Sequence, residues 1–152
     1  MFRIFLKDIV VDYKSDSPVL ELSFNNGKNC LNVYVEKLEA ETIAGIMCGD
    51  VYVRPSIYDL TVNIMKKSGI VLEKVIINTT NNILCADMVF EQNGIIFTVD
   101  SNPGDAIGIS IRNNSPIFVS QTLIEKLDID VSGMKKHVEV ESFENIKPDD
   151  FM

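Results

Sequence analysis

The sequence predicts an α+β domain: a mixed, mainly antiparallel sheet with three to four helices packed on it. Two observations carry this. Strand-like segments follow one another in runs, joined by turns rich in Asn and Gly. Between them, a few stretches switch to helical spacing, and strand–helix–strand units are scarce, which argues against a wholly parallel sheet. A length of 152 residues with 46% hydrophobic content suits a single core.

Residues 2–11 are rich in Ile, Val and Phe and read as a first strand. A turn from Asp12 to Pro18 leads to Val19–Phe24, which alternates Leu20, Leu22 and Phe24 against Glu21 and Ser23. Asn26-Gly27 signals a type I′ hairpin, and Leu31, Val33 and Val35 face inward on the return strand. From Glu36 to Cys48 the spacing becomes helical, with Ala40, Ile43, Ala44 and Met47 on one face and Gly49 as the stop. A connection over Asp50 to Pro55 reaches a second helix. Ser56 and Asp59 form a capping-box pattern there, and Ile57, Leu60, Thr61, Ile64 and Met65 follow as its expected apolar stripe. Lys66 and Lys67 suit its negative end, and Gly69 closes it.

A three-strand meander is expected over 70–77, 83–90 and 95–99, its second turn carrying Asn93-Gly94. Pro103 opens a third helix that runs to Arg112, capped by Asn102 or Ser101. Gly104 and Gly108, four apart, permit close approach of another backbone. Ile117–Val119 is a short strand, and Ser120 caps a short helix ending at Leu127. The expected organisation is a domain over 1–127 and an acidic tail over 128–152, docked on the domain or on a second subunit.

The net charge is −8, and residues 127–152 hold seven Asp+Glu against three Lys+Arg. With no basic stripe, strong non-specific binding to a phosphate backbone is not expected; nucleic acid would bind weakly or need divalent cations to screen the carboxylates. No apolar run approaches the ~20 residues of a membrane span, and the N-terminal segment lacks a signal-peptide core, so the expected compartment is the cytoplasm. Cys30, Cys48 and Cys85 are widely spaced and accompanied by a single histidine, His137. They are expected to be reduced thiols packed as small apolar groups, not zinc ligands; His137 is expected at the surface.

Two blocks carry the candidate chemistry: Arg54-Pro55-Ser56-Ile57-Tyr58-Asp59-Leu60 and Asp100-Ser101-Asn102-Pro103-Gly104-Asp105-Ala106-Ile107. With Ser115-Pro116-Ile117-Phe118-Val119 and the upstream Glu39-Ala40, they resemble the bifunctional nuclease domain family over roughly residues 1–126. The resemblance implies a compact α+β domain that self-associates, most simply as a dimer, with DNase and RNase activity in some members. The family pattern departs at three positions: Tyr58 stands for its His, Asn102 for its Arg and Gly104 for its Ser.

Phosphodiester hydrolysis needs an activated water and neutralised phosphate charge, which acidic sites supply by holding Mg²⁺ or Mn²⁺. Asp59, Asp100 and Asp105 are the candidate metal ligands, Arg54 the candidate phosphate clamp and Tyr58 a hydrogen-bond donor to a leaving oxygen. The same residues have structural explanations: Asp59 in a capping box, Asp105 in a helix first turn, Arg54 as an ion-pair partner. Two functions therefore stay open. One is a metal-dependent nuclease acting on DNA and RNA. The other is a non-catalytic homo-oligomeric module that binds a partner protein or small anion.

Overall fold

A computed structural model describes residues 1–49 and 54–137. The described elements run β1 (Phe2–Asp12), β2 (Ser17–Phe24), β3 (Cys30–Tyr34), α1 (Lys37–Met47), α2 (Ile57–Ser68), β4 (Val71–Thr80), β5 (Ile83–Gln92), β6 (Ile95–Ser101), α3 (Pro103–Asn113), β7 (Ile117–Val119) and α4 (Gln121–Lys126). The strands form one seven-stranded sheet in the order β3-β2-β1-β7-β4-β5-β6. Every neighbouring pair is antiparallel except β4 and β7, which run parallel. The α+β class is as expected.

Two meanders, β1–β3 and β4–β6, are joined through the short β7. Its three residues are all buried, as a central strand requires. The Ser115-Pro116 pair sets that junction. Ser115 Oγ donates to the Leu72 carbonyl at 3.1 Å, and the Val75 N–H donates to the Pro116 carbonyl at 3.0 Å. The core lies on the face of the sheet that the helices cover. Leu20, Leu22, Val75, Ile77 and Ala86 supply its sheet side, and Ala40, Ile43, Met65, Ala106, Ile107, Leu123 and Ile124 its helix side. A small second cluster of Met1, Ile76 and Phe118, with Val89 against it, sits apart from them.

Several local expectations are corrected. Only Gly27 has positive φ in the β2–β3 hairpin, so that turn is not type I′. Asn93 and Gly94 both have positive φ, as do Asn81 and Asn82, so type I′ geometry belongs to the β5–β6 and β4–β5 hairpins. β6 continues through Asp100 and Ser101, so the helix follows the strand after Asn102 alone. On α1, Ala40, Ile43 and Gly45 are buried while Met47 is exposed.

The largest correction concerns α2. Its buried stripe is Tyr58, Val62 and Met65, whereas Ile57, Leu60 and Ile64 are exposed. Both triplets obey helical spacing, so periodicity alone could not separate them. The capping box is as expected: Ser56 Oγ accepts from the Asp59 N–H and Asp59 Oδ2 from the Ser56 N–H.

The cysteines are free, but Cys30 and Cys48 are exposed and Cys85 is half-buried, so they are not packed as core residues. His137 is half-buried, its ring edge-on to Phe118 at 4.9 Å between centroids. Residues 128–137 pack back on the domain. The Asp130 carbonyl accepts from Asn26 and Asn29, and Ile129, Val131 and Met134 reach the main core. The remainder of the expected acidic tail, 138–152, and positions 50–53 of the α1–α2 connection lie outside the described residues.

Candidate functional site

α1, α2 and α3 bring Glu39, Tyr58 and Asp105 together. Each arrives for a local reason. Glu39 is the third residue of α1 and closes a capping box: its Oε2 accepts from the Glu36 N–H at 2.9 Å. Asp105 stands in the first turn of α3, which Asn102 caps by accepting from the Gly104 N–H at 2.8 Å. Tyr58 lies in the first turn of α2 and is only 2% exposed.

Gly108 makes room for Tyr58. A Cβ at that position would sit 2.5 Å from the tyrosine ring. The expectation of a backbone approach at Gly104 and Gly108 is thereby corrected: a side chain fills the space. The ring runs under α3 and carries its hydroxyl to the Asp105 carboxylate. Gly104 has the same role on a smaller scale, since a Cβ there would meet Val35 at 2.8 Å.

The electrostatics follow from burial. Asp105 is raised above the ordinary carboxylate range, first because it is partly buried and then because the Glu39 carboxyl hydrogen-bonds and repels it. The Tyr58 hydroxyl is pushed far up, first by burial and then by the negative charge of Asp105 and Glu39. It therefore stays protonated and acts as a donor at any physiological pH. A polar cleft of about 390 Å³, lined by Tyr34, Glu36, Lys37, Glu39 and Asn102 among others, opens on the Glu39 side.

The other sequence candidates lie elsewhere. Asp59 is one residue from Tyr58 but turns to the opposite end of α3, where its Oδ1 accepts from Arg112 Nε. That bond first, and the Ser56 cap after it, hold the Asp59 carboxyl below the ordinary range. Asp100 is exposed on β6. Its neighbour Val99 is paired with the core residue Met88, so strand alternation puts Asp100 on the sheet face away from the helices. Arg54 is exposed at the entrance to α2, and Arg112, not Arg54, pairs with Asp59. Among the described residues, no three His, Cys, Asp or Glu side chains gather so that they could hold a metal ion.

Glu39 and Arg112 are the partners that the sequence did not identify as such. The signal for Glu39 was its place three residues after an acidic cap. Arg112 gave none beyond a cation in a helix last turn, where the dipole already explains it.

This arrangement of helix-covered sheet and carboxyl pair occurs in a chain whose residues 20–132 match the profile of the Bifunctional nuclease domain. The chain belongs to that family. Among its relatives are two Mycobacterium tuberculosis proteins, the uncharacterized proteins MT1877 (strain CDC 1551 / Oshkosh) and Rv1829 (strain ATCC 25618 / H37Rv). Each is 28% identical to it over 156 residues, an alignment covering 94% of this chain and 93% of the relative. Among the described residues, no helix is long and apolar enough to cross a membrane.

Proposed function

We infer that the domain hydrolyses DNA and RNA phosphodiester bonds with Mg²⁺ or Mn²⁺, and that Glu39 and Asp105 form the reactive centre. One observation carries the reading: two carboxyls face each other, Glu39 lining an open polar cleft and Asp105 held above its ordinary pKa. A divalent cation between them would replace the shared proton and relieve the repulsion that raises Asp105. Mg²⁺ commonly takes only one or two protein carboxylates, completing its shell with water and substrate phosphate. When bound, the metal supplies an activated water and charge neutralisation. The chain itself positions Asp105 through the Tyr58 hydroxyl and fixes Glu39 through the Glu36 amide. The proposed centre therefore keeps Tyr58 and Asp105 of the sequence candidates and replaces Asp59 and Asp100 by Glu39.

The test is hydrolysis of single-stranded DNA and RNA by protein freed of contaminating nucleases, with and without added Mn²⁺. Glu39→Gln and Asp105→Asn are expected to lower a metal-dependent rate by about 100-fold or more, on the scale of losing one acid–base or charge-stabilising group. Asp100→Asn is expected to leave it unchanged. Absence of metal-dependent cleavage by the wild type would sink the reading.

A second reading, a non-catalytic homo-oligomeric module that binds a partner protein or small anion, is favoured by a different observation. The positions where the family pattern carries His and Arg are occupied here by a buried ring and a helix cap. Both residues do structural work that a substrate-binding His or Arg would not.

A further inference from the structure

The shortness of β7 leaves a notch in the sheet. β1 pairs with β7 only over Phe2–Ile4, and β4 pairs with the same three residues over Val75–Ile77. After Ile4 on β1, and before Val75 on β4, no described strand lies between the two. A cleft of about 280 Å³ opens there, between β1 and the end of α3. Ile4, Leu6, Met47, Ile111 and Ile117 give it apolar walls, and Arg3 is the one charged residue among the described residues that line it.

Arg3 reaches the notch from the sheet face away from the helices. Its neighbours Phe2 and Ile4 lie in the main core, so alternation turns Arg3 to the other face, beside its cross-strand partner Phe118. The guanidinium carbon is 4.9 Å from the Phe5 ring centroid and 5.7 Å from that of Phe118. Neither ring supplies a carboxylate or an acceptor in the plane of the guanidinium. Among the described residues no acidic side chain pairs with Arg3, and its Nε is shut off from water without an acceptor. A buried charged donor left unsatisfied is costly and rare, and a bound anion satisfies it directly. The nearby hydroxyls are already engaged: Ser110 Oγ donates to the Ser115 carbonyl at 2.7 Å, and Ser115 Oγ to the Leu72 carbonyl at 3.1 Å. The Asn114 amide lines the same cleft and makes no hydrogen bond among the described residues, so it offers a second donor.

We propose that this notch binds a small monocarboxylate with an apolar body, its carboxylate on Arg3 and its body against Ile4, Leu6 and Ile111. Three features select the class. First, the guanidinium fork matches a carboxylate in bidentate geometry. Second, a single cation in a chain of net charge −8 balances a monoanion, whereas a phosphate dianion would meet an excess of negative charge. Third, a volume of about 280 Å³ lies just under the ~300–1,000 Å³ of ordinary ligand pockets and is walled mainly by apolar side chains, which suits a compact, mostly apolar acid. The notch takes Ser110, Ile111 and Asn114 from the C-terminal end of α3, while Asp105 stands in the first turn of that helix. The site is therefore separate from the Glu39–Asp105 centre, and the proposal does not depend on hydrolysis.

Titration of the full chain with phenylacetate, followed by backbone amide chemical shifts, tests it. Saturable binding with a Kd of about 1 mM or tighter is expected, with the shifts centred on Phe5, Leu6, Ile111 and Asn114. The uncharged phenylacetamide and inorganic phosphate are each expected to bind at least about tenfold more weakly. Arg3→Met is expected to lose about tenfold or more in affinity for phenylacetate with unchanged circular dichroism, and Arg3→Lys, which keeps the charge without the fork, to fall between. If Arg3→Met fails to fold, the comparison of acid with amide on the wild type decides. No saturation by about 10 mM phenylacetate would overturn the proposal. So would equal binding of acid and amide, phosphate binding as tightly as the acid, a folded Arg3→Met that keeps full affinity, or shifts centred on Glu39 and Asp105.

Discussion

Asp105 and Asp59 each stand three residues after a helix cap, Asn102 and Ser56, and the fold treats them in opposite ways. Asp105 binds its proton more tightly in the folded state than in the unfolded chain, where an aspartate has a pKa of about 3.9. The folded state therefore holds more protons between about pH 3.9 and the raised value, and stability falls as pH rises through that window. Asp105→Asn is expected to remove this slope and to raise the melting temperature at pH 7; thermal melts across pH 4–7.5 would show both. Asp59 is depressed, so its contribution is present above about pH 3.9 and is lost as pH falls through its folded value. Asp59→Ala removes the carboxylate half of the capping box, which accepts from the Ser56 N–H, and the Arg112 bond together. The expected loss is about 1–2 kcal/mol, or roughly 3–6 °C in melting temperature, and Arg112→Ala should cost less because the whole capping box survives.

At the scale of elements, the α2–α3 contact depends on a glycine under a tyrosine. Alanine at 108 gains about 1 kcal/mol in helix propensity, but its Cβ would lie 2.5 Å from a fully packed ring. Overpacking of this kind costs about 1–3 kcal/mol. Gly108→Ala is expected to destabilise on balance, and the double variant with Tyr58→Leu to be more stable than the sum of the two single losses predicts. A denaturant-unfolding double-mutant cycle measures that coupling, and strict additivity would contradict it. The pair explains how the two family blocks relate. The first contributes a side chain, the second a helix with a gap to receive it, and the Tyr58 hydroxyl reaches the Asp105 carboxylate as a result.

At the scale of the whole molecule, net charge and apolar burial act against each other. The excess of eight negative charges repels itself across the folded chain, while the core draws the chain together through burial. Screening shortens the range of the repulsion, the Debye length falling from ~30 Å at 0.01 M salt to ~8 Å at 0.15 M. The fold is therefore expected to gain stability as salt is raised, which thermal melts at 20 and 300 mM NaCl would read. A melting temperature that falls with salt would mean that surface ion pairs such as Lys7–Glu21 and Lys28–Asp130 outweigh the repulsion.

Much of this architecture was legible in the chain. Strand runs, the Ser56–Asp59 box, Asn93-Gly94 and Pro103 act through local sterics and short-range hydrogen bonds, so each leaves a mark within a few residues. The sheet class, the helix ends at Gly69 and Ser120 and the family membership follow from such marks. Tertiary structure alone decided which of two equally periodic stripes of α2 was buried, that Arg112 would take Asp59, and that Glu39 would meet Asp105. Those outcomes depend on which flank of one helix another helix covers. That is a property of packing between segments distant in sequence, and no spacing within a single segment encodes it.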